Sequence, residues 1–303
     1  MVYNDLRDMI GDTPVLKLNH IGIRKGINVY SKLEMYNPLG SVKDRTGFSM
    51  VEDAEKKNIL KKGSTIVEAT AGNTGIGIVF AALNKGYRVI FVVPLKFSEE
   101  KQTLMKALGA EIINTSREKG MLGATEEAEK LRKSIPGAVS LKQFENPANP
   151  FIHYETTGKE IYDDFDGKID YFVAGAGSGG TYSGIMKYLK EKNPDIKGVL
   201  ADPVGSTMGG GAHGDYDIEG IGNDFIADTM DMNLVDEVIK ITDEEAFKYS
   251  RLLASNEGVI AGSSSGAALA ATVKLADRIK GNATIVTLFP DRGDRYFSKK
   301  LYA

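Results

Sequence analysis

Cysteine is absent from the 303-residue sequence, and histidine occurs only three times, as His20, His153 and His213. Without cysteine the chain can form neither disulfide bonds nor a thiolate nucleophile nor a sulfur-ligated metal site. The three histidines are scattered along the chain and lack the spacing of metal ligands. We therefore expect no metal centre.

Long apolar runs and an excess of basic charge are missing as well. No segment approaches the roughly 18 apolar residues of a membrane span, and the first residues, MVYNDLRDMIGDTP, lack the basic and apolar regions of a signal peptide. The formal net charge of −3 does not favour binding to nucleic acid or to an anionic membrane. We expect a cytoplasmic protein whose partners are small molecules, with no nucleic-acid or membrane partner.

The length and the pattern of the chain predict an α/β protein with two lobes. A single core stops growing near ~250–300 residues, and from about residue 64 short apolar runs alternate with helical patterns, as in βαβ units on parallel sheets. The candidate strands are 65–69, 87–93, 111–114, 139–141, 171–174, 198–201, 237–241, 259–261 and 284–289. The candidate helices are 73–86, 98–109, 181–193, 242–258 and 265–279.

The best internal boundary is the cluster of Asn and Pro residues at 143–150, QFENPANP. We place an N-terminal lobe at 1–147 and a C-terminal lobe at 148–303, with the option that roughly residues 12–34 pack with the C-terminal lobe. The glycine-rich segment 205–214 is equally compatible with a functional loop and with a disordered surface excursion.

The segment 175–180, GAGSGG, follows a candidate strand and opens a candidate helix, so its backbone N–H groups can hold a phosphate. It also satisfies the G-x-G-x-x-G pattern, and Asp202 ends the next strand where a dinucleotide-binding unit carries its ribose-binding acid. A phosphate-bearing cofactor is therefore expected, but this motif leaves its class open.

Two further turns between a strand and a helix carry polar side chains. The run 70–75, TAGNTG, offers hydroxyls, an amide and unhindered N–H groups that suit a carboxylate, whereas helix capping would explain Asn73 alone. The run 262–268, GSSSGAA, presents hydroxyls at a third helix start, where capping would need only one serine.

Lys43 lies in the segment 37–45, NPLGSVKDR, between turn residues and a helical pattern. A lysine in such a place is most often a solvated surface charge. A lysine that forms a Schiff base needs a lowered pKa, which burial or nearby positive charge would supply. The sequence alone does not reveal such a shift.

Together these segments resemble the cysteine synthase/cystathionine β-synthase family of fold-type II pyridoxal-phosphate (PLP) enzymes, over essentially the whole chain. The resemblance is closer to bacterial members that use O-acetylserine or cysteine to form cystathionine or lanthionine. The motifs that carry it are GDTP at 11–14, NPLGSVKDR at 37–45, TAGNTG at 70–75, GAGSGGT at 175–181, EGIG at 219–222, GSSSGAA at 262–268 and FPDRGDRY at 289–296.

The resemblance implies two three-layer lobes, each with a mostly parallel twisted sheet flanked by helices, and PLP in the cleft between them. Lys43 would hold the cofactor as an internal aldimine and later move the Cα proton, Asn73 would bond its phenolic oxygen, and Ser264 would face its pyridine nitrogen. The cofactor phosphate would bind at Gly177, Ser178, Gly179, Gly180 and Thr181. Asp202 then becomes an ordinary acid at a strand end.

For the substrate, the resemblance implies a carboxylate site at Thr70, Ala71, Gly72, Thr74 and Gln143, with Gly220, Gly222 and Asn223 on the other side of the cleft. The implied reaction is β-replacement through an enzyme-bound aminoacrylate, to which a nucleophile adds at Cβ. Family members are typically homodimers, and the resemblance implies a homodimer here.

Two positions depart from the pattern of sulfide-using cysteine synthases, which carry Ser at position 71 and commonly a small apolar residue at position 223. Ala71 and Asn223 favour a thiol nucleophile, cysteine or homocysteine, giving lanthionine or cystathionine. If cysteine is the donor, hydrogen sulfide is released.

Three alternatives remain: a sulfide-using cysteine synthase, a dinucleotide-dependent oxidoreductase that uses Asp202, and a catalytically silent binding protein on the same fold. The joint presence of Lys43, Asn73 and Ser264 argues against the last.

Overall fold

The structure, a computed structural model, describes residues 2–95 and 98–303. The strands in chain order are β1 (Val15–Lys17), β2 (Ile27–Leu33), β3 (Thr65–Ala69), β4 (Arg88–Pro94), β5 (Glu111–Thr115), β6 (Tyr171–Gly175), β7 (Lys197–Pro203), β8 (Glu237–Ile241) and β9 (Ala283–Phe289). The helices are α1 (Lys43–Lys56), α2 (Asn73–Ala82), α3 (Glu99–Ala107), α4 (Gly120–Ser134), α5 (Ala148–Ile152), α6 (Lys159–Asp164), α7 (Gly180–Lys192), α8 (Asp243–Leu252) and α9 (Ser263–Ala276). A π-helical turn, His153–Gly158, joins α5 to α6, and another, Leu253–Glu257, prolongs α8.

The strands form two sheets. The larger has the order β1-β2-β9-β6-β7-β8, and the smaller has the order β3-β4-β5. Only β1 pairs antiparallel to its neighbour among the strands described, and the remaining pairs are parallel. The predicted α/β class, with parallel sheets flanked by helices, is confirmed.

The central strands and two of the helices are buried because their side chains are apolar or small. Phe172 and Val173 of β6 are fully buried, as parallel strands covered on both faces require. In α2 every residue from Thr74 to Ala82 is buried, and in α9 a run of small residues is buried between its neighbours. These two helices therefore begin deep in the molecule, where their N-termini can contribute to a site.

Two predicted strands, 139–141 and 259–261, are wrong. Val139 makes a single parallel bridge to Ile66, after which the backbone N–H of Leu141 bonds the Glu68 carboxylate instead of a strand. Ala261 makes a single antiparallel bridge to Arg292. Each apolar run is only three residues long, so side-chain and turn hydrogen bonds replace the ladder that a longer run would continue.

Strands β1 and β2 lie before residue 64, where no strand is predicted. Strand β2 pairs in parallel with β9 along its whole length, from Ile27 opposite Ala283 to Leu33 opposite Phe289. Residues 15–33 thus belong to the larger sheet, whose other strands all come from beyond residue 170. The division of the chain at 147/148 stays a prediction.

Predicted helix ends were less accurate than helix positions. The helix predicted at 73–86 ends at Ala82, because Asn84 and Gly86 adopt left-handed backbone conformations, with φ of 60° and 77°.

Among the described residues, no helix combines the length and the apolar character that crossing a membrane would require.

Candidate functional site

Lys43 is the first residue of α1, and its position is set by a close crossing of α1 and α2. A Cβ atom on Gly77 would lie 2.1 Å from the Lys43 carbonyl oxygen, and one on Gly47 would lie 2.2 Å from the Gly77 carbonyl carbon. Only glycine permits this approach of two backbones. The crossing brings the N-terminus of α1, with Lys43, beside the N-terminus of α2.

The side chain of Lys43 is largely buried, and its ammonium group makes no hydrogen bond or ion pair with any residue in 2–95 or 98–303. Burial lowers the pKa of Lys43 to about 8. The positive end of the α1 dipole acts in the same direction, since it disfavours a cation at the first helical position. The neutral amine, which attack on an aldehyde requires, is therefore far more populated near physiological pH than in an ordinary lysine.

A buried ion cluster holds the same helix from the other side. Arg45 donates to Glu34 at 2.8 Å through Nε and to Glu160 at 2.6 Å through Nη1. Glu160 also pairs with Lys32 at 3.0 Å. Although burial opposes the charged form of Arg45, the two carboxylates raise its pKa above the ordinary value. The cluster anchors the first turn of α1 and leaves Lys43 outside its reach.

Asn73 is the first residue of α2, but its side chain does not cap the helix. Its Nδ2 donates to Asp291 Oδ2 at 2.7 Å, and its Oδ1 accepts a hydrogen bond from Arg295 Nη1. The residue at the cap position is Gly72, in an extended conformation. The capping interpretation of Asn73 is therefore wrong.

The predicted substrate-carboxylate residues lie together at the start of α2. Thr74 Oγ1 donates to Gln143 Oε1 at 2.7 Å, which joins two segments 69 residues apart. Thr70 and Ala71 are buried beside them, at 5% and 9% exposure, so they offer little surface to bulk solvent. The turn thus keeps its backbone N–H groups at a helix N-terminus, where a carboxylate is favoured.

The predicted phosphate loop is compact because its glycines touch neighbouring atoms. Gly179 has a φ of 84°, and a Cβ there would lie 2.3 Å from Met230 Cβ. A Cβ on Gly180 would lie 2.2 Å from Asn149 Oδ1, and one on Gly177 would lie 2.5 Å from the Gly220 carbonyl oxygen. The loop ends at the N-terminus of α7, where the helix dipole favours an anion.

Two polar residues that the sequence analysis missed connect these parts. Asn149 Nδ2 lies 2.9 Å from Ser178 Oγ and 2.8 Å from the Gln143 carbonyl oxygen. His153 Nε2 lies 3.1 Å from the hydroxyl oxygens of both Thr46 and Thr181. Burial holds the pKa of His153 well below its ordinary value, so the ring is neutral.

Neither residue carried a clear signal. Asn149 belongs to the Asn and Pro cluster that we interpreted as a boundary, and His153 is one of three scattered histidines.

Gly220, Gly222 and Asn223 follow the phosphate loop on its other side. The backbone N–H of Gly222 donates to the Ala176 carbonyl at 2.7 Å, and Asn223 Nδ2 donates to the Gly177 carbonyl at 2.7 Å. The Asn223 amide therefore braces the loop, and the contact with a nucleophile expected from the sequence stays a prediction.

Ser264 is the second residue of α9 and is buried, at 3% exposure. Its hydroxyl makes no hydrogen bond to any other described residue. The neighbouring Ser263 hydroxyl accepts from the Glu219 backbone N–H at 3.0 Å, and the cap position is occupied by Gly262. The capping interpretation of this serine run is therefore wrong.

Asp202 is buried at the end of β7, and its Oδ2 bonds Lys240 and, at 3.0 Å, the Gly209 backbone N–H. These contacts tie it to the glycine-rich loop 205–214, which closes through a 3.0 Å bond from the Gly214 N–H to the Gly205 carbonyl. The acid is engaged in holding this loop and does not act as an open ribose ligand.

Three features of the site fit PLP: the largely buried, unpaired amine of Lys43 for its aldehyde, the glycine-lined start of α7 for its phosphate, and the Ser264 hydroxyl for its pyridine nitrogen. A groove of about 910 Å³ is lined by α1, α5 and α7 residues such as Ser49, Phe151 and Lys187, and by none of the predicted site residues.

Comparison with known proteins agrees with this geometry. The family model described as pyridoxal-phosphate dependent enzyme matches residues 6–291. The chain is 48% identical over 301 residues to an O-acetylserine dependent cystathionine beta-synthase of Bacillus subtilis strain 168, covering 99% of this chain and 98% of that protein. It is 43% identical to a cysteine synthase of Helicobacter pylori strain J99, with 100% of both chains covered.

Its fold also matches the crystal structure of a hydrogen sulfide-producing enzyme from Fusobacterium nucleatum, with a TM-score of 0.93. That match has 38% sequence identity and covers 98% of each chain.

Proposed function

This chain belongs to the family of pyridoxal-phosphate dependent enzymes, and on that premise we propose that it catalyses β-replacement on O-acetylserine or cysteine. The observation that carries the proposal is the unpaired amine of Lys43, whose pKa burial lowers to about 8, beside a helix start suited to a carboxylate. In the reaction the bond from Cβ to the leaving group breaks, acetate or hydrogen sulfide departs, and a new Cβ–S bond forms to the incoming thiol.

PLP, when bound, supplies an aldehyde for attachment and an electron-withdrawing ring that stabilises charge developing at Cα. Lys43 Nζ would hold the aldehyde of the cofactor, and its neutral amine would be the base that takes the Cα proton of the substrate. Asn73 would donate an N–H to the phenolic oxygen. The Ser264 hydroxyl, being neutral, cannot hold the pyridine nitrogen protonated as a carboxylate would.

The loop 177–181 would hold the phosphate of the cofactor. Its glycines expose backbone N–H groups at the start of α7, and the Thr181 hydroxyl is oriented by His153 at 3.1 Å. Asn149 Nδ2 donates a hydrogen bond to the Ser178 hydroxyl oxygen at 2.9 Å and so fixes its position. These contacts set the loop before any ligand arrives, which reduces the ordering cost of binding.

The substrate carboxylate binds at the start of α2. Thr70, Ala71 and Gly72 present backbone N–H groups there, and Thr74 and Gln143, joined at 2.7 Å, limit how the carboxylate can turn. Holding it in one orientation keeps the Cα–H bond close to Lys43, an effect that contributes several kcal/mol in comparable cases.

We propose a thiol, cysteine or homocysteine, as the nucleophile, giving lanthionine or cystathionine. Compared with the serine of sulfide-using cysteine synthases, Ala71 lacks a hydroxyl and leaves more space beside the substrate Cβ. This space suits an acceptor larger than sulfide. The alternative is a sulfide-using cysteine synthase. The relatives are named for different acceptors and products, so their names support the reaction class and leave the acceptor as our proposal.

Product analysis by mass spectrometry tests the acceptor. The PLP-loaded protein is incubated with O-acetylserine or cysteine, with sulfide, cysteine and homocysteine offered in competition. We expect a thioether as the major product and sulfide release when cysteine is the donor. The matched variant Ala71→Ser should shift the product ratio toward cysteine formation from sulfide. Acceptance of sulfide alone would overturn the thiol proposal and leave β-replacement intact.

We further propose that the protein is a cytoplasmic homodimer that acts on small amino acids. The assembly rests on the family resemblance, and the location on the metabolite substrates. Sedimentation equilibrium of the PLP-loaded protein should give twice the mass of the chain, and fractionation of the source cells should recover the activity in the cytoplasmic fraction.

A further inference from the structure

The segment 289–296, FPDRGDRY, is one of the motifs shared with the family, but none of the roles above uses it. It follows β9 and runs beside the turn that precedes Lys43. The Val42 backbone N–H donates to the Pro290 carbonyl at 2.8 Å, and Ser41 forms an isolated bridge with Asp291. The segment therefore lies between the N-terminus of α1 and that of α2.

Two side chains of this segment hold the two ends of one amide. Asp291 Oδ2 accepts from Asn73 Nδ2 at 2.7 Å, and Arg295 Nη1 donates to Asn73 Oδ1. Both side chains are buried, Asp291 at 1% and Arg295 at 4% exposure, so water does not replace these partners.

These contacts allow only one orientation of the Asn73 amide. If it were flipped, its oxygen would face the Asp291 carboxylate and its NH2 group would face the Arg295 guanidinium. Both contacts would then be repulsive, because a carboxylate only accepts and a guanidinium only donates. One N–H of Asn73 is bound to Asp291, and no described residue accepts the other.

The surroundings of Asp291 indicate that it is held for a purpose other than stability. Its Oδ2 also accepts from the Tyr296 hydroxyl at 2.6 Å, whereas its Oδ1 is buried without a partner among the described residues. That oxygen lies against Gly262, where a Cβ would approach it to 2.2 Å. A buried, incompletely bonded carboxylate costs stability. A role in orienting the Asn73 side chain would account for its presence despite that cost.

We propose that Asp291 and Arg295 are positioning residues that lock the Asn73 amide, so that it presents an N–H donor and never an acceptor to the phenolic oxygen of PLP. This inference rests on the proposed function. The guanidinium polarises the amide through its oxygen, which strengthens the remaining N–H as a donor. A donor at this place favours the ionised phenolate form of the cofactor.

The test is a double-mutant cycle read by cofactor affinity. Asp291→Ala and Arg295→Met are made in the wild type and in Asn73→Ala, and the dissociation constant of PLP is measured by titrating each cofactor-free protein. Each single variant should weaken affinity about tenfold. In the Asn73→Ala background the same substitutions should change it by less than about twofold, because they act through Asn73.

Two controls separate positioning from structural damage. Arg295→Lys keeps a donor to Asn73 and should retain most of the affinity, and Tyr296→Phe removes the other partner of Asp291 and should leave the affinity unchanged. The absorption spectrum of the bound cofactor is followed against pH. The long-wavelength band should weaken in Asp291→Ala and Arg295→Met and stay as in the wild type in Arg295→Lys.

Equal losses of affinity with and without the Asn73 side chain would overturn the inference, as would no loss in either single variant. If Asp291→Ala does not fold, the comparison of Arg295→Met with Arg295→Lys decides by the same criteria. Failure of the wild type to bind PLP, or an unaltered absorption band in Lys43→Ala, would instead refute the proposed function itself.

Discussion

Lys43 and Arg45 lie two residues apart in the first turn of α1, yet their surroundings are opposite. Arg45 is 1% exposed and meets two carboxylates, Glu34 and Glu160, at 2.6–2.8 Å. Lys43 meets none among the described residues, and burial lowers its pKa to about 8. In Arg45 the carboxylates outweigh the cost of burial and the pKa rises.

The residue between them extends the contrast to an acid. Asp44 is buried, and burial raises its pKa to about 7 even though the Leu39 N–H donates to it at 2.6 Å. Three consecutive ionisable residues therefore differ in whether neighbouring groups compensate the cost of burying their charge, that is, stabilise the ionised form. The compensated one, Arg45, holds the helix in place, and the uncompensated Lys43 is left available for chemistry.

Removing the Lys43 amine should have the largest effect on activity and almost none on folding. We expect Lys43→Ala to lower kcat by on the order of 10⁴-fold or more, as loss of a group essential to catalysis does. The cofactor-free variant should unfold at the wild-type urea concentration or higher, since an uncompensated charge is gone. Lys56→Ala, at the exposed end of α1, is the control and should match wild type in both measurements.

A variant at Arg45 should reverse this pattern. Arg45→Met leaves Glu34 buried without its cation and should lower the free energy of unfolding by about 3–5 kcal/mol, measured by urea denaturation of the cofactor-free protein. The double variant Glu34→Gln with Arg45→Met should recover part of that loss, because no bare carboxylate remains. A loss under about 1 kcal/mol in Arg45→Met would show that the cluster does not anchor α1.

The lowered pKa of Lys43 should appear in the rate at which PLP attaches to the cofactor-free protein. Because burial favours the neutral amine, the rate should rise with pH, reach half its maximum near pH 8 and then level off. Between pH 7 and pH 9 the rise should be about tenfold for a group with that pKa. A lysine peptide in solution is the control, and its rate should keep rising toward pH 10. If the rate for the protein also kept rising toward pH 10, burial would not have lowered the pKa of Lys43.

The sequence predicted much of this arrangement because its signals are local. Strands β3 and β8 were predicted with the bounds observed, and the glycine-rich turns fall at the starts of α2, α7 and α9. The starts of α1 and α2 meet in the structure, and Asn149 and His153 tie them to the phosphate loop. The roles of the residues gathered there stay predictions.

What the sequence could not predict depends on contacts between distant segments. The lowered pKa of Lys43 follows from burial, and the position of Lys43 depends on a backbone contact between Gly47 and Gly77. Neither has a local sequence pattern. Asp291 and Asn73 are 218 residues apart, and a single chain gives no sign that they meet. Strand β2, which precedes all the predicted strands, pairs with β9 at the far end of the chain.

The pH dependence of stability tests whether Asp44 resembles Lys43 in having no neighbouring charge that stabilises its ionised form. Its pKa is about 7 in the folded protein and about 3.9 in an unfolded chain. Between these values the folded state holds a proton that the unfolded state has lost, so stability falls as pH rises through this window. Asp44→Asn cannot ionise, and its carbonyl oxygen can still accept from Leu39.

Urea denaturation of cofactor-free wild type and Asp44→Asn at several pH values between about 4 and 7.5 measures the difference. The variant should gain stability relative to wild type as pH rises, by on the order of 4 kcal/mol, and the gain should level off above about pH 7. A constant difference across the window would mean that the Leu39 and Ser41 hydrogen bonds compensate the carboxylate fully. Asp44 would then stand with Arg45 as a satisfied ion, and Lys43 would be the only uncompensated charge among the three.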